Sequence, residues 1–331
     1  MNLKFNASKL ANHFFYISTL TNWGNSSFRK ETKKEWSEFL GPLNKQEKKA
    51  VSNIEKILNK YQKDNEKWLQ NIFYFFDKED NVWGQIKKTY TKEEYQELQQ
   101  AFETTSQKFE KLWARVDIDK VNHFFEQLNG DCYKKMFNKV ENFFKVKNNN
   151  TVYVGVLPIC IGKGIAGHSW GNKNMIVNVE FSMDEINRNN IRDVALLLAH
   201  EIFHSIFAQK KWSKIFKEEI TKNKIDKVFD KSLVLREFYG RAYVLVNEAL
   251  TATFCDRYYL EILYGRPFSL LDRMSFLTDD KNELVLKNLV IKGKKITRDL
   301  VLLSIGYKMF PLVLKYIYEN KAIDRKIIQA F

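Results

Sequence analysis

From about residue 26 to residue 146, apolar residues return every three or four positions, the pattern of helices packed by one face. Gln46 to Phe76 places Val51, Ile54, Leu58, Tyr61, Trp68, Leu69 and Ile72 on such a stripe. Thr91-Lys-Glu-Glu94 reads as a capping box, in which Thr91 and Glu94 satisfy each other's backbone donors. The helix it opens carries Tyr95, Leu98, Phe102, Phe109 and Leu112, and Trp113, Phe124, Phe125, Phe137, Phe143 and Phe144 continue the aromatic load. Stripes of this kind are core seams rather than ligand boxes. The polar, turn-prone stretch Lys145-Val-Lys-Asn148-Asn149-Asn150 closes the pattern.

Beyond it the period changes. Thr151 to Pro158 and Met175 to Phe181 read as strands. Between them runs a connection holding Gly162, Gly164, His168, Trp170 and Gly171; it lacks the Lys-Ser/Thr ending of a phosphate loop. Ser182-Met-Asp-Glu185 has the spacing of another capping box. Lys210 to Lys231 is dense in charge and reads as a surface excursion. Leu233–Tyr243, Glu248–Leu263 and Thr297–Tyr318 read as helices. The expected fold is mainly α with a small β-sheet (α+β): a helical N-terminal region over 1–147, then a second region over 148–331.

Composition narrows the classes. With 44% hydrophobic residues, 26 Phe, only 4 Pro and 13 Gly, the chain can bury a large core and favours helix over an all-β fold. The balance of 54 − 40 gives a net charge of +14. The lysines are interspersed with Glu, Asn and Gln, so a solvated basic surface is expected rather than a nucleic-acid interface. Three widely spaced cysteines, Cys132, Cys160 and Cys255, form no disulfide framework and fit a reducing compartment. No signal peptide and no run of 18 apolar residues is seen, so a cytoplasmic location is expected, export without a cleaved signal remaining open.

The candidate chemistry sits in Asp193-Val-Ala-Leu-Leu-Leu-Ala-His200-Glu201-Ile-Phe-His204, a His-Glu-x-x-His run inside an apolar helical pattern. Residues four apart leave one face of a helix, so His200 and His204 can bind one metal ion. Glu201 beside them can take a proton from a water on that metal. A catalytic zinc site takes three protein ligands plus water. Lys210 stands six residues after His204, where a third His would mark the metzincin pattern. Downstream, Asn247-Glu248-Ala-Leu-Thr251-Ala252 lies in a second helical segment, and Glu237 and Asp256 also fall within reach as third ligands.

His200-Glu201-x-x-His204 followed by Asn247-Glu248 resembles the gluzincin branch of zinc metallopeptidases, the thermolysin-like and aminopeptidase-like proteins. The resemblance implies a zincin-like catalytic domain over 148–331, zinc (Zn2+) held by His200, His204 and Glu248, and Glu201 as general base. It also implies a peptide or protein substrate added as a strand along a sheet edge. His168 to Phe181 is the candidate edge, and His168 is either a substrate contact or a histidine with a structural hydrogen bond. By the same resemblance Tyr307 is the candidate oxyanion donor, or else a core tyrosine beside Gly306; Tyr239, Arg241 and Tyr243 are alternatives. Two features depart from the pattern: Glu248 comes 44 positions after His204, a longer gap than in those groups, and Ala252 replaces the Asp that steadies the site in thermolysin-like proteins. Asp193, Asn247 or Thr251 would have to serve instead.

The expected activity is metallopeptidase hydrolysis, endo- or oligopeptidase favoured, because no Gly-x-Met-Glu-Asn segment for capturing an amino terminus is present. A zincin-fold protein-binding module and a protease acting on nucleic-acid-associated proteins are the alternatives.

Overall fold

The structure is a computed structural model that describes the chain except residues 24–26, 63, 65–66, 77, 147–150, 163, 172–174, 260–282, 287–288, 293–295 and 330–331. Its helices in chain order begin with α1 (Lys9–Leu20), α2 (Ser27–Leu40), α3 (Lys45–Lys60), α4 (Leu69–Phe75) and α5 (Glu79–Thr89). Then come α6 (Lys92–Trp113), α7 (Ile118–Glu126), α8 (Asp131–Phe144), α9 (Met183–Asn187) and α10 (Ile191–Phe207). The last are α11 (Lys210–Lys222), α12 (Ile225–Lys231), α13 (Leu233–Tyr239), α14 (Ala242–Thr251), α15 (Arg298–Tyr318) and α16 (Arg325–Gln329). The strands are β1 (Asn2–Asn6), β2 (Thr151–Cys160), β3 (Ile165–Gly171), β4 (Met175–Ser182), β5 (Glu283–Leu286) and β6 (Leu289–Lys292). The chain is mainly α with a small β-sheet, as its periodicity predicts.

The chain forms two compact units, neither continuous in sequence. The sheet unit comprises Asn2–Asp131 and Thr151–Leu198; the histidine unit comprises Met1, Cys132–Asn150 and Ala199–Phe331. The chain passes from one unit to the other between Asn150 and Thr151, at the end of the polar stretch 145–150, and again near residues 131 and 198.

In the sheet unit the strand order is β1-β2-β4-β3, with β1 and β4 parallel to β2 and β3 antiparallel to β4. Every residue of β4 is buried, as expected of a central strand covered on both faces. Helix α1 is buried from Ala11 to Leu20: Phe14 stacks on Phe73 at 4.2 Å, and His13 stacks on Phe109 at 4.2 Å. The capping box at Thr91 is present, and Leu98, Phe102, Phe109 and Leu112 of α6 are buried. The stripe from Gln46 to Phe76 breaks into α3 and α4, with Ile54, Leu58, Leu69 and Ile72 all in the core.

Three local expectations are corrected. The glycine-rich connection is itself a strand, β3, which forms one edge of the sheet and carries His168, whereas β4, the rest of the expected edge, lies inside. Ser182 makes no capping hydrogen bond; Glu185 instead accepts from Gly164 N at 3.0 Å and from Asn190 Nδ2. The charged stretch from Lys210 is two amphipathic helices, α11 and α12, that bury Trp212, Phe216, Ile220 and Phe229.

In the histidine unit an aromatic core surrounds the second half of α10. Phe203 lies 5.5 Å from Phe254, and Phe207 stacks on Phe216 at 4.3 Å with the planes 3° apart. Gly240, at φ +66, ends α13; α14 then continues directly into a π-helical turn, Ala252–Tyr259. Helix α15 opens on Thr297, whose side chain accepts from Leu300 N, and bends by 49° between Leu300–Gly306 and Lys308–Tyr318. Pro311 accounts for the bend, since it cannot donate to the carbonyl four residues back and its ring crowds that carbonyl. Before the bend, Gly306 lets α15 approach the π-helical turn: a Cβ there would stand 3.3 Å from Thr253 Oγ1. Among the described residues no single helix is long and apolar enough to cross a membrane.

Candidate metal centre

Helix α10 positions the two histidines through its own repeat. Ala199, Ile202, Phe203 and Ile206 are buried, which turns His200 and His204 onto the half-buried face. The two Nε2 atoms lie 2.9 Å apart. Helix α14 brings the third group: Glu248 Oε1 is 3.7 Å from His204 Nε2. One ligand atom from each of His200, His204 and Glu248 falls within 4.8 Å of the others. Ligands bound at roughly 2.05 Å to a tetrahedral zinc sit about 3.3 Å apart, so separations of this order suit such an ion.

The far side of His204 is held as well. Its Nδ1 lies 3.2 Å from Thr251 Oγ1, and that hydroxyl donates to the Asn247 carbonyl at 2.8 Å. With its own proton committed, the Thr251 oxygen is an acceptor, so Nδ1 carries the hydrogen and the Nε2 lone pair faces His200 and Glu248. The Asn247 side chain also hydrogen-bonds this ring. Thr251 and Asn247 thus supply the support that Ala252 cannot.

Charge is arranged to keep His204 neutral. Burial, and next the neighbouring His200, hold the His204 imidazole below its ordinary pKa against the upward pull of Glu201 and Glu248. A neutral imidazole is the form that binds metal. Glu201 is buried and close enough for its charge to act on His204.

Sequence reasoning missed Arg298. Its Nη2 lies 3.3 Å from Glu248 Oε2, opposite the oxygen that faces His204. The guanidinium also lies 5.5 Å from the Tyr239 ring, whose hydroxyl donates to the Arg298 carbonyl. This arginine is 50 residues from Glu248 and opens a different helix, so no local spacing could have shown it.

No protein-family model, curated protein or solved structure matches this chain.

The other expected site residues fall as follows. Glu237 is exposed on α13 and is not part of the ligand group; the Asp256 side chain lies outside the described residues. Tyr307 is in α15, at its bend, and its side chain also lies outside the described residues. Tyr239 and Tyr243 donate their hydroxyls to the carbonyls of Arg298 and Phe207. His168 is on β3 in the sheet unit, with Nε2 3.6 Å from Glu180 Oε1. That buried carboxylate also accepts from Arg29 at 2.7 Å and from Asn178 Nδ2 at 2.9 Å.

Proposed function

We propose that this chain is a zinc-dependent peptide-bond hydrolase of the gluzincin kind. The observation that carries the reading is the convergence of His200, His204 and Glu248, ligand atoms within 4.8 Å of one another, beside the buried carboxylate of Glu201. Two imidazoles and one carboxylate form a donor set of catalytic zinc, which leaves one position open. When bound, the ion would polarise a scissile carbonyl and bring a water's pKa from about 15.7 to roughly 7.

The protein's own groups do the rest. Glu201 takes the proton of the attacking water and delivers it to the departing amine. Thr251 keeps His204 in the tautomer that presents Nε2, and Arg298 pairs with Glu248 Oε2, which leaves Oε1 turned towards His204. Tyr307 is the proposed oxyanion donor; loss of one such donor costs on the order of 10²–10³ in rate. The substrate is a peptide or protein, with endo- or oligopeptidase action. The reaction is assigned to the reducing cytoplasm, where cysteines stay reduced.

Elemental analysis of purified protein, paired with a peptide-library assay on wild type and Glu201→Gln, tests the reading. About one zinc per chain in both proteins, and hydrolysis in the wild type alone, is the expected result. A chain that takes up no zinc, or a Glu201→Gln protein as active as wild type, overturns it.

A further inference from the structure

The histidine unit also holds a concave site that shares no residue with His200, His204 or Glu248. It is a cleft of about 300 Å³ between α8 and the C-terminal end of α15. Lys135 and Lys139 reach it from α8, one helical turn apart, and Lys321 reaches it from just beyond α15. None of its nine lining residues is acidic. We propose that this cleft binds a phosphate monoester, the phosphate held by the three lysines.

The charge pattern carries the argument. Elsewhere in this unit helix lysines stand near glutamates one turn on, as in Lys214–Glu218 and Lys315–Glu319. In the cleft, two lysines with the same four-residue spacing face a third lysine. Among the described residues none of the three forms an ion pair; Lys139 lies over the Tyr258 ring at 5.8 Å and Lys321 over the Tyr316 ring at 4.5 Å. Like charges at this spacing disfavour the helix, and an anion between them removes the repulsion.

The kind of anion follows from the donors. Arginine's planar fork suits a carboxylate, whereas lysine acts as a point charge that adapts to the tetrahedral oxygens of phosphate. The cleft holds lysines and no arginine. Asn138, Asn142 and Asn320 add amide groups, and Asn320 is presented by a left-handed backbone at φ +48. The buried rings of Phe143 and Tyr316, with Ile317, form an apolar wall for the organic part of the ligand. A volume of about 300 Å³ lies at the lower end of small-molecule sites and exceeds what a lone inorganic ion needs.

Calorimetric titration of the whole protein at about 0.15 M salt tests the site, with AMP, ribose 5-phosphate, inorganic phosphate and adenosine as probes. At least one of the two organic phosphates binds and adenosine does not. The double variant Lys135→Glu/Lys139→Glu lowers that affinity by about tenfold or more, while Lys227→Glu on α12 leaves it unchanged. Binding of inorganic phosphate with both organic phosphates excluded overturns the ligand class. Absence of binding by every phosphate probe at about 10 mM, or an equal loss in Lys227→Glu, overturns the site. The readout requires neither zinc nor hydrolysis, so it succeeds or fails independently of the metallopeptidase reading.

Discussion

The Thr251 hydroxyl accepts from His204 Nδ1 at 3.2 Å while donating its own proton to the Asn247 carbonyl at 2.8 Å. One buried side chain, one turn beyond Glu248 on α14, therefore fixes which face of a histidine on α10 is open to a metal. Groups that hold a ligand's far nitrogen typically contribute 10–100-fold to metal affinity. Thr251→Val keeps the shape and removes the oxygen, so zinc affinity measured by chelator competition should fall by about 10–100-fold. Thr251→Ser, which restores the hydroxyl, should recover most of it. Equal affinity in the valine variant would show that the contact does not orient His204.

Arg298 acts on Glu248, on the other helix of the group. Its guanidinium is half-exposed, so its ion pair with Glu248 is screened and adds little to folding stability. Its effect should appear in the site instead. Arg298→Met should weaken zinc binding severalfold, by less than Thr251→Val and far less than Glu248→Ala, with the melting temperature nearly unchanged. A different order of the three losses in one competition series would remove Arg298 from the metal centre.

Much of this site could be read locally, because the informative spacings are short. His200 and His204 are neighbours on any α-helix, whatever surrounds it. The caps at Thr91 and Thr297 are likewise set within one turn. What stayed hidden depends on partners far along the chain. Asn2 to Asn6 is too short to show a strand period, and its identity comes from pairing with β2, Asn2 opposite Thr151. The glycines of β3 lack side chains with strand character, yet the backbone of β4 pairs with it along its length. Ser182-Met-Asp-Glu185 has the spacing of a cap, but Gly164 N captures Glu185. The Thr251–His204 and Arg298–Glu248 contacts each join separate helices, 47 and 50 residues apart.

Gly306 tests how closely α15 must approach the turn after Glu248. Alanine favours a helix interior by up to about 1 kcal/mol over glycine, but its Cβ would meet Thr253 Oγ1 at 3.3 Å. The two effects oppose, so Gly306→Ala should be nearly neutral in chemical unfolding. Gly306→Val drives branched methyls into Thr253 and should destabilise by about 1–3 kcal/mol. A neutral valine variant would mean that the two elements can separate without loss.

The sheet unit contains a histidine whose protonation opposes folding. His13 is buried against Phe109, with Nε2 2.9 Å from Thr105 Oγ1. Burial, assisted by the Lys9 charge, pushes its pKa from 6.5 down to about 3. Between those values the unfolded chain binds a proton that the folded chain refuses, so stability is full above pH 6.5 and declines as pH falls towards 3. The slope approaches about 1.4 kcal/mol per pH unit, or roughly 2 kcal/mol between pH 6.5 and 5. Six of the seven tryptophans lie in the sheet unit, so fluorescence-detected urea unfolding reports mainly on it. His13→Phe keeps the ring against Phe109, and Thr105 still donates to the Ala101 carbonyl, so the fold should survive. In that variant the decline between pH 6.5 and 5 should shrink by about one proton's worth. An unchanged slope would mean that His13 accepts its proton in the folded protein.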